Sequence, residues 1–559
     1  MRVSIQRYFP LLVLLGIVLN ATGLFNDVLE PDGTLYAAIA KHMVLSNDWI
    51  NLIGDNHDWL DKPHFPFWIT AFSYKVFGIN SFAYKFPAFL FWLLGIRFTY
   101  LLAKELYNTT VAQVAVLAYI IALHSFLANF DVRAEPYLTT LTIGSIYYMY
   151  KVYKEKKITY LLLAAFLAAC AVMTKGIFAL LTIGGGFVVH WIVNREWKEF
   201  INYRWYLLLL LILVFIVPEL YCLYVQFDLH PEKIVFDRTG VSGIKFFFWD
   251  SQFGRFFNTG PIQGSGDISF FLHTTLWAFL PWSIVFYIAV IRLFRRDNKL
   301  TKKAQWIIFG STGLTFLLFS FSKFQLPHYI IILFPQFAII AADYLVTLFE
   351  GTKLKAQRAI FILQSVILII AAFAVIFLCI YLQLTSRTLI IFLTAFALTA
   401  SFIVFRKISF INMCFRSFAF AIILYPFLNF VFYPYIMQYQ SGMVAARWLN
   451  DHNYKAPFAM YKEFMHSFEF YADGEPAWLY NNDDLKKFSI VHLPYIIYAA
   501  RENIDSLQLA GFKVTVLENF EYYRISMLTG SFLNPATRNA TTKKMALLQV
   551  TPGQKQLHE

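Results

Sequence analysis

The sequence predicts a mainly α-helical, polytopic membrane protein with a small extracytoplasmic α/β domain at its C-terminal end. Three observations lead there. Of 559 residues, 58% are hydrophobic and only 14% are charged, against roughly 25% charge in soluble domains. Lys and Arg collect in alternate short loops between apolar runs. After about Tyr435 charges return and the apolar runs shorten. The mean hydropathy of +0.55 agrees.

A continuous apolar run of about 20 residues crosses a bilayer as a helix, because no water there can satisfy its backbone. About 13 such spans are predicted. They centre near residues 16, 92, 120, 143, 166, 185, 215, 281, 312, 337, 369, 396 and 422. The first, in MRVSIQRYFPLLVLLGIVLNATGLF, follows two Arg but lacks a clear small-x-small cleavage site, so it reads as a retained helix. With the N-terminus cytoplasmic, the inside loops are Lys151 to Lys157, Arg195 to Arg204, Arg292 to Lys303, Lys353 to Arg358 and Arg406-Lys407. The opposite loops hold few cations, which is the positive-inside pattern. An odd number of spans places the C-terminus outside.

The net charge of +13 is spread over these loops, not gathered on a soluble face, which argues against nucleic acid as a partner. Cys170, Cys222, Cys379 and Cys414 fall inside predicted spans without a CxxC pair, so they read as buried apolar side chains.

The organisation that follows is a membrane domain over residues 1–436, an α/β domain over 437–529, and a polar tail over 530–559. The membrane domain carries two long outside loops, 26–79 and 227–269. In the first loop, Leu35, Ile39 and Met43 of LYAAIAKHM recur at helical spacing, an interfacial-helix pattern. Pro31-Asp32 suits its start, with Asp32 as cap. FAMYKEF, FSIVHL and FKVTVLENF read as strands. Met443 to Asn450 and Tyr495 to Leu509 read as helices.

Several charges stand at the outer ends of spans: Asp27, Glu30, Asp32, Asp61, Lys62, Asp131, Arg133, Glu135, Lys175 and Lys323. One such residue is ordinarily a snorkelling, solvated side chain. A charge at a span centre costs about 2.5–3.5 kcal/mol. All of these belong to loops of one parity, so they share one face and depth, as in a polar cavity. Sugar transfer from a lipid-linked phosphate wants such a set. Cations stabilise the leaving phosphate, a carboxylate deprotonates the acceptor hydroxyl, and a groove takes the polyprenyl tail. A transporter or flippase of lipid-linked sugars is the alternative, and would place such groups near mid-membrane on broken helices in paired halves.

EPDGTLYAAIAKHMVLSNDWI, WLDKPHFPFW, AEPYL, VMTKG and FSFSKFQLPHY occur in this order over roughly the first 340 residues. This set resembles the bacterial branch of the protein O-mannosyltransferase superfamily, with aminoarabinose (lipid A) transferases among its members and the GT-C glycosyltransferase fold. The resemblance implies an inverting membrane glycosyltransferase. It would use a polyprenyl-phosphate sugar donor and a lipid, glycan or protein acceptor at the outer face of a bacterial cytoplasmic membrane. It also implies site roles. Asp32 is the catalytic carboxylate and Glu135 a second acid. Lys62, Arg255, Lys323, Tyr329 and Lys175 bind the donor phosphate. Asp61 stands where relatives have Glu, a position linked to a divalent metal cation. His328, beside Tyr329, could replace a ligand, though a lone His more often just hydrogen-bonds. Relatives read PDETRY; here Gly33 and Leu35 replace the acid and the Arg. A His that precedes the Arg-Phe pair in relatives is replaced near Gln252.

Overall fold

The computed structural model describes residues 2–293, 303–454 and 456–551. The predicted basic loop from Arg292 to Lys303 lies largely outside the described residues.

The apolar runs form helices, as their length and composition dictate. Among the described residues, seven are long and apolar enough to cross a membrane: Ile5–Phe25, Ser81–Leu106, Ile158–Lys175, Pro327–Glu350, Leu354–Tyr381, Arg387–Val404 and Phe410–Met437. Counting two bent pairs as single spans raises this to nine. Phe178–Asn194, Ser283–Leu293 and Trp306–Phe321 are shorter apolar helices. The predicted centre at 281 falls at a break between Phe270–Ala278 and Ser283–Leu293. The chain is therefore multi-pass, with a span count set by how the short and bent helices are reckoned.

The Glu135–Glu155 helix is less apolar because it faces protein. Its Thr139 hydroxyl donates to the Glu135 carbonyl at 2.7 Å, Thr140 to Phe91 at 2.6 Å and Ser145 to Ala164 at 3.0 Å. Hydroxyls that find backbone acceptors remove the cost of their burial. At Gly186 a Cβ would lie 2.0 Å from the Ile307 carbonyl oxygen. Glycine there lets Phe178–Asn194 approach Trp306–Phe321 backbone to backbone.

Both breaks carry chain toward the site. Thr109–Ile120 and Leu123–Phe130 meet at 53°, and the second ends at Asp131. Tyr203–Phe215 and Val217–Asp228 meet at 41°, where Pro218 opens a new helix and brings Glu219 inward.

In the first outside loop, Asp32–Leu45 is a helix, followed by a hairpin of β1 (Ile53–Gly54) and β2 (His57–Asp58) and a helix at Phe65–Phe77. Leu35, Ile39 and Met43 do form one stripe. It is buried against Leu52, Phe67 and Ala71, so the loop's own chain covers the face expected to meet lipid. Asp32 is the first helical residue and makes no side-chain cap; its carboxylate goes to Arg133 instead.

The C-terminal domain is a five-stranded sheet of order β4-β3-β5-β7-β6. Its strands are β3 (Phe458–Tyr461), β4 (Ala477–Leu479), β5 (Tyr495–Ala500), β6 (Lys513–Tyr522) and β7 (Lys543–Thr551). β3, β4 and β5 are parallel, while β7 runs antiparallel to β5 and β6. Tyr495, Ile497 and Ala499 join one core and Ile496, Tyr498 and Ala500 the other. That period of two makes YIIYAA a strand buried on both faces, where helix was expected; only Asn503–Leu509 of that stretch is helical. FSIVHL, expected as a strand, ends the Asn482–His492 helix. Leu485 and Ser489 face inward one turn apart, and Ile490 is 84% exposed. The expected polar tail is corrected too, because β7 is an inner strand whose Ala546, Leu547 and Leu548 are fully buried. Residues 552–559 lie outside the described residues.

Candidate active site

The WLDKP loop turns Asp61 and Lys62 toward the second outside loop. Lys62 Nζ donates to Asp61 Oδ2 at 2.5 Å, and the Arg255 guanidinium donates to Asp61 Oδ1. One carboxylate thus spaces two cations that would otherwise repel. Burial opposes the charge of Asp61, but Lys62 and then Arg255 outweigh it and hold the carboxyl down to about 2. Burial lowers the Lys62 pKa, and Asp61 offsets part of that fall. Asp32 also acts on the Lys62 charge, so the two belong to one electrostatic site.

The clamp has a buried brace. His64 Nδ1 lies 3.0 Å from Glu219 Oε1, and the His64 backbone N–H donates to Glu219 Oε2 at 3.0 Å. Nε2 lies 2.8 Å from the Ile50 carbonyl oxygen. Both ring nitrogens face acceptors, so both carry protons and His64 is an imidazolium. Burial works against that charge, yet the Glu219 carboxylate raises the His64 pKa above its ordinary value.

Asp61, Lys62, Lys175, Arg255 and Tyr329 line one cavity of about 420 Å³. The rest of its wall is largely apolar, including Phe178, Leu181, Leu223, Phe246, Phe319 and Phe324. Glu135, at the start of its helix, is ion-paired with Lys175 and only 2% exposed. Lys175 Nζ stands 3.6 Å above the Tyr329 ring. Gln252 also lines the cavity and donates to the Lys175 carbonyl at 3.3 Å.

A second cluster adjoins. Arg133 Nη1 donates to Asp32 Oδ2 at 2.5 Å, while its Nε and Nη2 donate to Asp131 Oδ2 at 3.1 and 2.9 Å. Asp32 is 39% exposed, Asp131 22% and Arg133 18%. Asp32 is therefore the carboxylate most open to an incoming group. Tyr36, one turn on, lies in the field of Asp32, Asp61, Arg133 and Glu135. Burial, followed by the carboxylates, pushes its phenol well above the ordinary range, which keeps it a neutral donor.

Of the expected residues, the structure gathers Asp61, Lys62, Lys175, Arg255 and Tyr329 at the cavity, with Asp32 and Glu135 beside it. Lys323 is exposed and outside the cavity wall. It stands on the bend after Trp306–Phe321, where its backbone N–H donates to Phe256. The expected metal role of Asp61 does not fit this donor set. Two cationic donors engage both its oxygens, and a divalent cation wants oxygen ligands free of such partners. Among the described residues no three His, Cys, Asp or Glu side chains converge as a ligand group. His328 Nε2 lies 3.7 Å from Glu135, next to Lys175, and Lys175 already claims that carboxylate. Arg133 was named only as one of the charges at span ends, and Tyr36 and the His64–Glu219 pair carried no role in the sequence reading. The one signal for Tyr36 was its i+4 spacing from Asp32, which puts both on one helix face.

The family described as Dolichyl-phosphate-mannose-protein mannosyltransferase matches residues 61–222. The crystal structure of ArnT from Cupriavidus metallidurans bound to undecaprenyl phosphate superposes with a TM-score of 0.74. That match covers 97% of this chain and 98% of the other at 18% identity. Fold and site together make the chain a polytopic membrane protein with the fold of that structure and a cavity lined by cations. In sequence it is similar to bacterial aminoarabinose transferases. The undecaprenyl phosphate-α-4-amino-4-deoxy-L-arabinose arabinosyl transferase of Pseudomonas aeruginosa (strain UCBPP-PA14) is 26% identical over 329 residues, 56% of each chain. The alignment thus spans a little over half the length of that relative. An uncharacterized protein of Aquifex aeolicus (strain VF5) is 27% identical over 460 residues, 80% of this chain and 83% of the other.

Proposed function

We propose that the chain transfers a sugar from a polyprenyl-phosphate donor to an acceptor hydroxyl at the outer face of a bacterial cytoplasmic membrane. The observation that carries this is the cavity itself, whose largely apolar wall also holds Lys62, Arg255 and Lys175. A prenyl chain needs the apolar wall and a departing phosphate needs the cations. The open Asp32 carboxylate supplies the base.

The acceptor hydroxyl would give its proton to Asp32 as its oxygen bonds to the anomeric carbon. The bond from that carbon to the phosphate oxygen would break on the opposite face, inverting the centre. Negative charge gathering on the phosphate is met by Lys62 and Arg255, already held in place by Asp61. Glu135 neutralises and orients Lys175, a positioning role. Arg133 holds Asp32 in one rotamer and lowers the cost of its charge. The alternating basic loops put the N-terminus inside and the C-terminal domain outside, on the side of the site.

The test is transfer from a radiolabelled polyprenyl-phosphate sugar mixture to membrane acceptors, with wild type beside Asp32→Asn. Labelling by wild type alone is expected, and the labelled product identifies the acceptor class. Equal labelling in both removes Asp32 from the mechanism. Donor binding without transfer in either turns the reading toward a carrier of lipid-linked sugars.

A further inference from the structure

The segment bearing Asp32 is fastened at both ends to the C-terminal domain. Lys41, five residues after Tyr36 on the first-loop helix, is 4% exposed. Its Nζ lies 2.8 Å from the Glu469 carbonyl oxygen, 2.6 Å from that of Ala472 and 2.7 Å from that of Gly474. The Phe470 carbonyl is a fourth contact at 3.3 Å. An ammonium has three donors, and here all are absorbed by carbonyls at the end of the His466–Tyr471 helix and in the turn that follows it. Those in the last turn of the helix lack helical partners and carry the negative end of its dipole.

At the other end, the Ser467 backbone N–H donates to Glu30 Oε1 at 2.8 Å, and Glu30 is 9% exposed. The Glu30 backbone N–H donates to Gln440 Oε1 at 3.0 Å, while Gln440 Nε2 donates to the Val28 carbonyl at 3.0 Å. The Val28 N–H donates to the Tyr471 hydroxyl at 2.7 Å. One short helix of the C-terminal domain therefore grips the chain on either side of Asp32. None of these contacts involves Asp61, Lys62 or Arg255.

We propose that the C-terminal domain positions Asp32, and that Lys41 and Glu30 are the positioning residues through which it does so. This rests on Asp32 being the base of the proposed transfer. Buried polar ties of this kind fix a geometry because each unmade bond leaves a desolvated group behind. The domain then acts on the acceptor half of the reaction and leaves the phosphate clamp alone.

The test uses full-length protein in detergent, with Lys41→Met, Glu30→Ala and Glu30→Gln beside wild type. Three readouts are taken: deuterium exchange across residues 27–45, kcat for transfer, and equilibrium binding of undecaprenyl phosphate. Lys41→Met and Glu30→Ala are expected to speed exchange at 27–36 and lower kcat at least tenfold, with polyprenyl-phosphate binding unchanged. Glu30→Gln keeps an oxygen for the Ser467 N–H and is expected to retain both wild-type exchange and kcat. Wild-type exchange and kcat in Lys41→Met overturn the proposal. So does Glu30→Gln failing as badly as Glu30→Ala, or exchange rising equally at residues 59–64. If Lys41→Met does not fold, the two Glu30 variants decide. If even wild type transfers no sugar, the proposed function falls, while exchange still tests the tie.

Discussion

Arg133 Nη1 lies 2.5 Å from Asp32 Oδ2 and joins two parts of the chain that are 101 residues apart. The same guanidinium grips Asp131 through two nitrogens. This leaves Asp32 oriented and partly open, as a general base needs to be.

Asp32→Asn keeps the shape and removes the proton acceptor. Positioned bases contribute about 10²- to 10⁴-fold, so kcat is expected to fall in that range. Binding of polyprenyl phosphate, measured separately, should stay within about twofold on this account. A matching loss of binding would move Asp32 to the donor side.

Lys62→Ala and Arg255→Ala each remove one charged donor to the phosphate. Hydrogen bonds to charged groups contribute about 1.5–3 kcal/mol, so the donor KM should rise roughly 10- to 100-fold in each. Lys323→Ala, by its exposed position, should leave the donor KM near wild type. Steady-state kinetics on the three variants checks both statements. A large KM effect at Lys323 alone would overturn this placement of the clamp.

The His64–Glu219 pair makes a pH prediction. The folded pKa of His64 is raised above its unfolded value near 6.5. Its contribution is then complete below about 6.5 and is lost as pH rises through the raised folded value. Thermal unfolding in detergent should show a falling midpoint over that upper window. Glu219→Gln should abolish this dependence and destabilise at all pH values, since breaking a buried pair costs about 3–5 kcal/mol. An unchanged pH profile in that variant would show that the pair does not brace the loop.

Deleting residues from Lys543 onward removes an inner strand, not a tail. β5 and β6 would each lose a partner, and Tyr498 would lose Met545 and Leu547 from its core. Limited proteolysis should cut the truncated domain quickly while the membrane helices stay resistant. Resistance equal to wild type would argue that β7 is dispensable.

How much of this was legible beforehand varies by region. The membrane helices near 16, 92, 166, 337, 369, 396 and 422 were plain, because apolar length alone forces a helix in lipid. The C-terminal domain was read less well. YIIYAA and FSIVHL are both short apolar runs, and periodicity cannot separate strand from helix at that length. What separates them is that β5 is covered on both faces and FSIVHL on one. β7 was missed because its flanks are polar and its partners are distant in sequence.

For the site, the sequence by itself supplied the residue types and the expectation that they share one side of the membrane. Motif order named Asp32, Lys62, Arg255, Lys175 and Tyr329, and loop parity put their segments at one depth. Only the tertiary structure decided which charges meet. It set Lys62 and Arg255 on one Asp61, Arg133 on Asp32, Glu135 on Lys175, and left Lys323 outside. The reason is physical. Hydropathy acts residue by residue and is written along the chain. Ion pairing depends on which loops two bent helices and a distant domain bring within a few ångströms, and sequence spacing does not encode that.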